Sequence, residues 1–197
     1  VLTVTMVLSL MAGSAAFAEQ LSGRVEWKTR GTAKPAQAVV FAEPLDRVAA
    51  PAPGKAAIQH KNKTFLPHVI AVPAGSIITF PNDDPIFHNV FSLSRAGTFD
   101  LGRYRQGDAR SRRLTGSGLV KVYCHLHSHM SAVVRIFSHP YFATPGEDGR
   151  FVIADVAPGT YQVAAWHERI GETTQSAVVT AGETTDLSFS LPLGDAD

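Results

Sequence analysis

GLVKVYCHLHSHMSAVVRIF, residues 118–137, sets two short runs on either side of a cluster of one cysteine, three histidines and one methionine. In the first run Val120, Val122 and Cys124 fall on one side, and Leu119, Lys121 and Tyr123 on the other. A period of two belongs to an extended chain, whose successive side chains point to opposite faces, so the run predicts a half-buried strand. SAVVRIF predicts the next strand, and the cluster between them turns across the open end of a sheet.

The same pattern recurs outward from this stretch. LSGRVEW, PHVIAVPAGSIITFPN, GRFVIADV, TYQVAAW and TTDLSFSL are short runs of strand type bounded by Gly, Pro, Asn or Asp. No window after the first eighteen residues sustains a helical stripe. The fold class is therefore all-β, and strands this short and frequent predict β-sandwiches.

Two boundaries are visible. EPLDRVAAPAPGKAAI, residues 43–58, is rich in Ala and Pro without periodicity and reads as a semi-stiff surface linker. SHPYFATPGEDGRF, residues 138–151, holds a Pro-containing connection before an Asp148-Gly149 hairpin turn. Residues 19–45 offer two strands and residues 144–193 about four, too few in either piece to bury a core alone. Joined, they predict one split sandwich with residues 57–143 inserted at a hairpin tip, where an insertion disturbs few host contacts. The alternative is two consecutive domains, with residues 19–45 extending the first.

Composition narrows the class. With 45% hydrophobic and 18% charged residues among 197, the chain is globular rather than disordered. Residues 1–18 are uncharged and end in Ala16, Phe17 and Ala18, which predicts a secretory signal cleaved before Glu19 and hence a periplasmic or secreted protein. Residues 1–143 carry 16 Lys and Arg against 8 Asp and Glu, whereas residues 144–197 carry 2 against 9. A net charge of +1 gives no case for nucleic acid, and RYRQGDARSRR, residues 103–113, reads as a solvated loop.

Cys124 is the single cysteine, so no internal disulfide can form even in an oxidising compartment. Its fate is then an inert buried thiol or a metal thiolate. A copper that exchanges one electron needs ligands acceptable to both Cu(I) and Cu(II), and a thiolate, two imidazoles and a weak thioether form such a set. Cys124 ends its strand pointing inward, His127 and Met130 return to the same point, and His88, opening HNVFS on another strand, is the natural second imidazole. His125 follows Cys124 directly and points away, while His129 adjoins Met130 and cannot easily share a metal with it, so both are assigned to the rim. His60, His68, His139 and His167 lack ligand spacing and are not assigned to a site. Zinc is the rival metal, but a thioether ligand disfavours it.

Cys-x2-His-x2-Met after an upstream His-Asn resembles the cupredoxin family, with the short ligand loop of amicyanin. Residues 57–143 also resemble plastocyanin-like proteins associated with methylamine utilisation, which implies one copper per chain and a periplasmic site. In that family the Asn after the first His hydrogen-bonds toward the residue after the Cys; Asn89 matches the first position, and His125 stands where relatives often carry a small hydroxyl or amide residue. The outer pieces, through Gly-x-Val, Ala-Val-Val, Asp-Gly-x-Phe and Pro-Gly-x-Tyr, resemble the carboxypeptidase-regulatory, transthyretin-like sandwich.

The expected function is one-electron transport, with a redox protein such as a c-type cytochrome or periplasmic dehydrogenase as partner. Phe87, Phe91 and Leu126 are either a docking patch around His127 or ordinary core. The alternatives are copper handling without a redox partner, and an adhesion or carbohydrate-binding role of the outer sandwich. Enzymatic activity is not expected, because it would need an open metal position or a second copper with its own ligands, and no second triad stands out.

Overall fold

Alternating patterns of this kind build sheets, and the structure, a computed structural model, describes residues 19–27, 37–46 and 50–191 as strands and connections with no α-helix among them. The predicted signal at 1–18 lies outside the described residues. The chain begins with β1 (Gln20–Trp27) and β2 (Ala38–Pro44). It continues through β3 (Lys55–Ala57), β4 (Gln59–Lys61), β5 (Thr64–Leu66), β6 (Val69–Pro73), β7 (Ser76–Pro81) and β8 (His88–Ser94). Then come β9 (Gly97–Tyr104), β10 (Ala109–Leu114), β11 (Gly118–Tyr123) and β12 (Ser131–Phe137). It ends with β13 (Phe142–Ala143), β14 (Arg150–Ala154), β15 (Gly159–His167), β16 (Gly171–Val179) and β17 (Thr184–Leu191).

The central strands form a five-stranded sheet, β6-β12-β11-β8-β9, and a three-stranded sheet, β10-β7-β3, beside a small β4-β5 hairpin. Between them lies a core of Phe65, Ile78, Phe80, Val90, Tyr104, Val120, Val122 and Val134, which also takes in Cys124 and Met130. The first and last strands form two other sheets, β14-β1-β17 and β13-β2-β15-β16, around Leu21, Val25, Tyr161, Val163, Phe151 and Phe189. β1 runs antiparallel to β14 and parallel to β17, and β2 is antiparallel to β15. Each large side chain sealed in either core contributes about 1.5–3 kcal/mol relative to exposure. A third cluster, Val39, Phe41, Val69, Val133, Phe137, Ala164 and Trp166, joins the two parts.

Three details differ from the sequence reading. Residues 55–57, placed in the linker, form β3 beside β7, and Ile58 is fully buried. Phe142 and Ala143, grouped with the central segment, pair with Phe41 and Val40 of β2. Strands of two or three residues show no alternation to read. The Arg-rich stretch is not a loop: residues 109–114 form β10 at a sheet edge, with five of its six residues exposed. Arg110 and Arg112 lie over the Tyr104 and Phe99 rings at 5.9 and 6.0 Å. Charge on both faces of an edge strand hides its period and blocks pairing with another chain.

Candidate metal centre

β8 and β11 are antiparallel neighbours with Phe91 opposite Tyr123, which brings the start of β8 to the end of β11. β11 and β12 pair from Tyr123 against Ser131, so residues 124–130 are the connection between them. The Met130 N–H donates to the His127 carbonyl at 3.0 Å and closes this loop into a turn. His88 and Cys124 are buried, and Met130 is buried in the same cluster as Cys124.

The outcome is a convergence of donor atoms. Cys124 Sγ lies 3.9 Å from His88 Nδ1 and 3.8 Å from His127 Nδ1. All three donor atoms fall within 4.8 Å of one another. Metal bonds of about 2.3 Å to sulfur and about 2.0 Å to nitrogen put the ligand atoms about 3.7 Å apart at trigonal angles and about 3.5 Å apart at tetrahedral ones. The two sulfur–nitrogen spacings lie close to both values, so one ion could reach this thiolate and these imidazoles, a donor set that suits copper.

The ring of His88 is held in a fixed tautomer. Its Nε2 lies 2.9 Å from Asp84 Oδ2, and because the carboxylate can only accept, Nε2 carries the proton and Nδ1 keeps its lone pair toward Cys124. Burial alone would raise the Asp84 carboxyl, but the N–H groups of Lys63 and Asn62 and the His88 ring hold it below its usual value. Asp84 was not singled out in the sequence; its place four residues before His88, within the turn-forming PNDDP, was the available signal.

His127 is partly exposed, and its ability to bind a proton is lowered by desolvation and then by charge at His88, Lys63 and His129. Lowering favours the neutral ring, the form that ligates a metal. Phe87, just before His88, is 51% exposed and Leu126, just before His127, is 40% exposed, so neither is core. Phe91 instead stacks on the His125 ring, with centroids 3.7 Å apart and planes 5° from parallel.

Asn89 spans the two ligand segments. Its Oδ1 accepts the His125 backbone N–H at 2.8 Å, and its Nδ2 donates to Asp100 Oδ1 at 2.9 Å. Because the bond uses the main chain of residue 125, the imidazole there does not prevent it. The register of β8 against β9 shifts between Asn89 and Phe91, and Asp100 Oδ1 also accepts the Gly102 N–H at 2.8 Å. His125 and His129 are both exposed.

His60 is fully buried and packs edge-on to His88, with ring centroids 5.0 Å apart. Burial, followed by the charge of His88, pushes its pKa down to about 4, so it stays neutral in ordinary buffers. Its Nε2 lies 3.2 Å from the Tyr104 hydroxyl, which donates to the Phe80 carbonyl at 2.9 Å. Among the described residues no helix is long and apolar enough to cross a membrane.

Similar solved structures are cupredoxins. A purple cupredoxin from Nitrosopumilus maritimus is 23% identical with a TM-score of 0.38, covering 42% of this chain and 99% of that one. A reduced Cu(I) amicyanin variant is 18% identical with a TM-score of 0.40, covering 50% and 98%. A copper-containing nitrite reductase from Thermus scotoductus is 20% identical with a TM-score of 0.40, covering 57% of this chain but 28% of that one. The family model of polysaccharide lyase family 4, domain II, matches residues 136–187, and no curated protein matches the chain.

Proposed function

We propose that this chain is an exported mononuclear type 1 copper protein that carries one electron at a time, with His88, Cys124, His127 and Met130 as ligands. The observation that carries the reading is the meeting of one Sγ and two Nδ1 atoms at the end of a β-sandwich. Bound copper supplies a centre that alternates between Cu(I) and Cu(II). The chain's own part is to hold the donors still: Asp84 fixes the His88 tautomer, Asn89 ties β8 to the ligand loop, and the core fixes Cys124 and Met130. Exposed Phe87 and Leu126, each one residue before a proposed ligand, suit docking of a redox partner such as a c-type cytochrome or a periplasmic dehydrogenase. We read the outer sheets as one sandwich, split after β2, that carries the copper unit as an insertion.

The test is spectroscopic. The purified, copper-loaded chain should hold one copper and show an intense visible thiolate-to-copper charge-transfer band, which Cys124→Ser removes. A colourless Cu(II) form, or zinc bound in preference to copper, overturns the reading. The exposed imidazoles of His125 and His129 beside the loop favour a second reading, copper handling without a redox partner. Copper transfer to an apo-acceptor, with no electron exchange with any c-type cytochrome, would select it.

A further inference from the structure

The β4-β5 hairpin turns on two residues, Asn62 and Lys63, both with φ of 55°. This is the left-handed two-residue turn that matches the twist of paired strands and that normally calls for Asn or Gly. Lys63 there costs about 1 kcal/mol relative to a residue without Cβ, so something must hold it. A turn of this kind leaves both central N–H groups outside the ladder and open to other partners. Asp84 takes both: Oδ1 accepts from Asn62 N–H at 2.6 Å and Oδ2 from Lys63 N–H at 2.7 Å. The Lys63 carbonyl faces His129 Nε2 at 3.0 Å, and since a carbonyl only accepts, the ring is the donor.

The tip therefore touches both halves of the ligand set. Asp84 holds the ring of His88, and His129 sits between His127 and Met130. Asn89 and His88 point to opposite sides of β8, so this link lies on the other side from the bond between Asn89 and His125. We propose that the Asn62-Lys63 tip is a clamp that fixes His88 relative to the ligand loop, and that His129 is a positioning residue whose bond to the Lys63 carbonyl closes it. This assignment rests on the copper reading above and gives His129 a role beyond that of a rim residue.

The experiment compares copper-loaded wild type with His129→Ala and His129→Gln, the latter retaining an N–H donor. Two readouts are taken: the rate of copper loss to a Cu(I) chelator after reduction, and the position and intensity ratio of the charge-transfer bands. Loss of an outer hydrogen bond to a metal site typically changes affinity about 10-fold or more. His129→Ala should therefore release copper about 10-fold faster with altered band ratios, and His129→Gln should return both to within about twofold of wild type. Unchanged release and bands in His129→Ala, or no recovery in His129→Gln, overturn the clamp. Should wild type take no copper, the function proposed above fails by itself, and the clamp is then read in the metal-free chain by amide exchange at Asn62 and Lys63. There His129→Ala should raise exchange about fivefold, as expected for a hydrogen bond of ordinary net strength, and equal exchange overturns it.

Discussion

Four buried histidines divide between two regions of the molecule and have different fates. In the central sandwich His60 and His88 pack together beside Cys124, and His88 directs Nδ1 at the sulfur. In the other region His139 and His167 each spend Nδ1 on the backbone N–H two residues ahead, from Tyr141 and Arg169, at 3.2 Å. His139 also faces Glu43 at 3.4 Å. The residue type is the same and burial is nearly the same, but only one arrangement leaves a nitrogen lone pair aimed at a second donor. Burial of an imidazole says little about ligation; the partner of its other nitrogen decides.

The largest effect should come from treating the two kinds of histidine alike. His88→Ala removes a donor from the cluster and should abolish the copper band and lower copper affinity by more than about 100-fold, beyond what an outer-shell change gives. His167→Ala should leave the copper content and the band intact while costing about 1–2 kcal/mol in stability, because a backbone donor loses its acceptor. Metal analysis and urea unfolding on both variants check this. Copper loss in His167→Ala would erase the distinction between the regions.

What could be read in advance follows the same division. β11 and β14 alternate cleanly in the sequence, and the structure buries Val120 and Val122 in one and Phe151 and Ile153 in the other. The spacing of Cys124 and His127 across a strand end was equally legible, and so was His88 as the start of a run. The partners that fix those residues were not. Asp84 reads as one of two turn aspartates, and its reach to His88 depends on a hairpin tip some twenty residues earlier in the chain. The bond from Asn89 is the exception: the family resemblance implied it, and it ends on the main-chain N–H of residue 125. Contacts of this sort depend on tertiary placement, while strand pattern is a local property.

The central sandwich and the outer sheets are joined by a seam, and Arg135 of β12 is one of its polar elements. Its guanidinium lies 4.3 Å from the Phe41 ring centroid and 5.0 Å from that of Trp166, while Nη2 meets Glu172 at 3.2 Å. A partly desolvated cation on two aromatic faces contributes about 2 kcal/mol. Arg135→Ala should cost that amount and separate the loss of the copper band, which follows the central sandwich, from the loss of far-ultraviolet dichroism, which follows all the sheets. A stability change below about 0.5 kcal/mol, the range of an ordinary surface substitution, would show that the seam does not depend on it.

The smallest effect concerns the other seam contact and has a sign that can be worked out. His68 Nδ1 lies 2.9 Å from the Ser131 carbonyl and Nε2 2.6 Å from Glu168 Oε2. Both partners accept, so the ring carries two protons. The bond to Glu168 raises the His68 pKa against the opposing effect of burial, and the same bond, aided by charge at Lys121 and His167, lowers that of Glu168. The imidazolium contribution is complete below the ordinary histidine value of 6.5 and is lost as pH rises through the raised one. The carboxylate contribution is complete above the ordinary 4.5 and is lost as pH falls through the lowered one. The pair is therefore strongest between these two ordinary values and contributes about 1 kcal/mol there. Urea unfolding at pH 5.5 and at pH 9 should show wild type losing about 1 kcal/mol more than Glu168→Gln. A difference between the two proteins that stays flat with pH would mean that His68 and Glu168 contribute no pH-linked stability to the seam across this range.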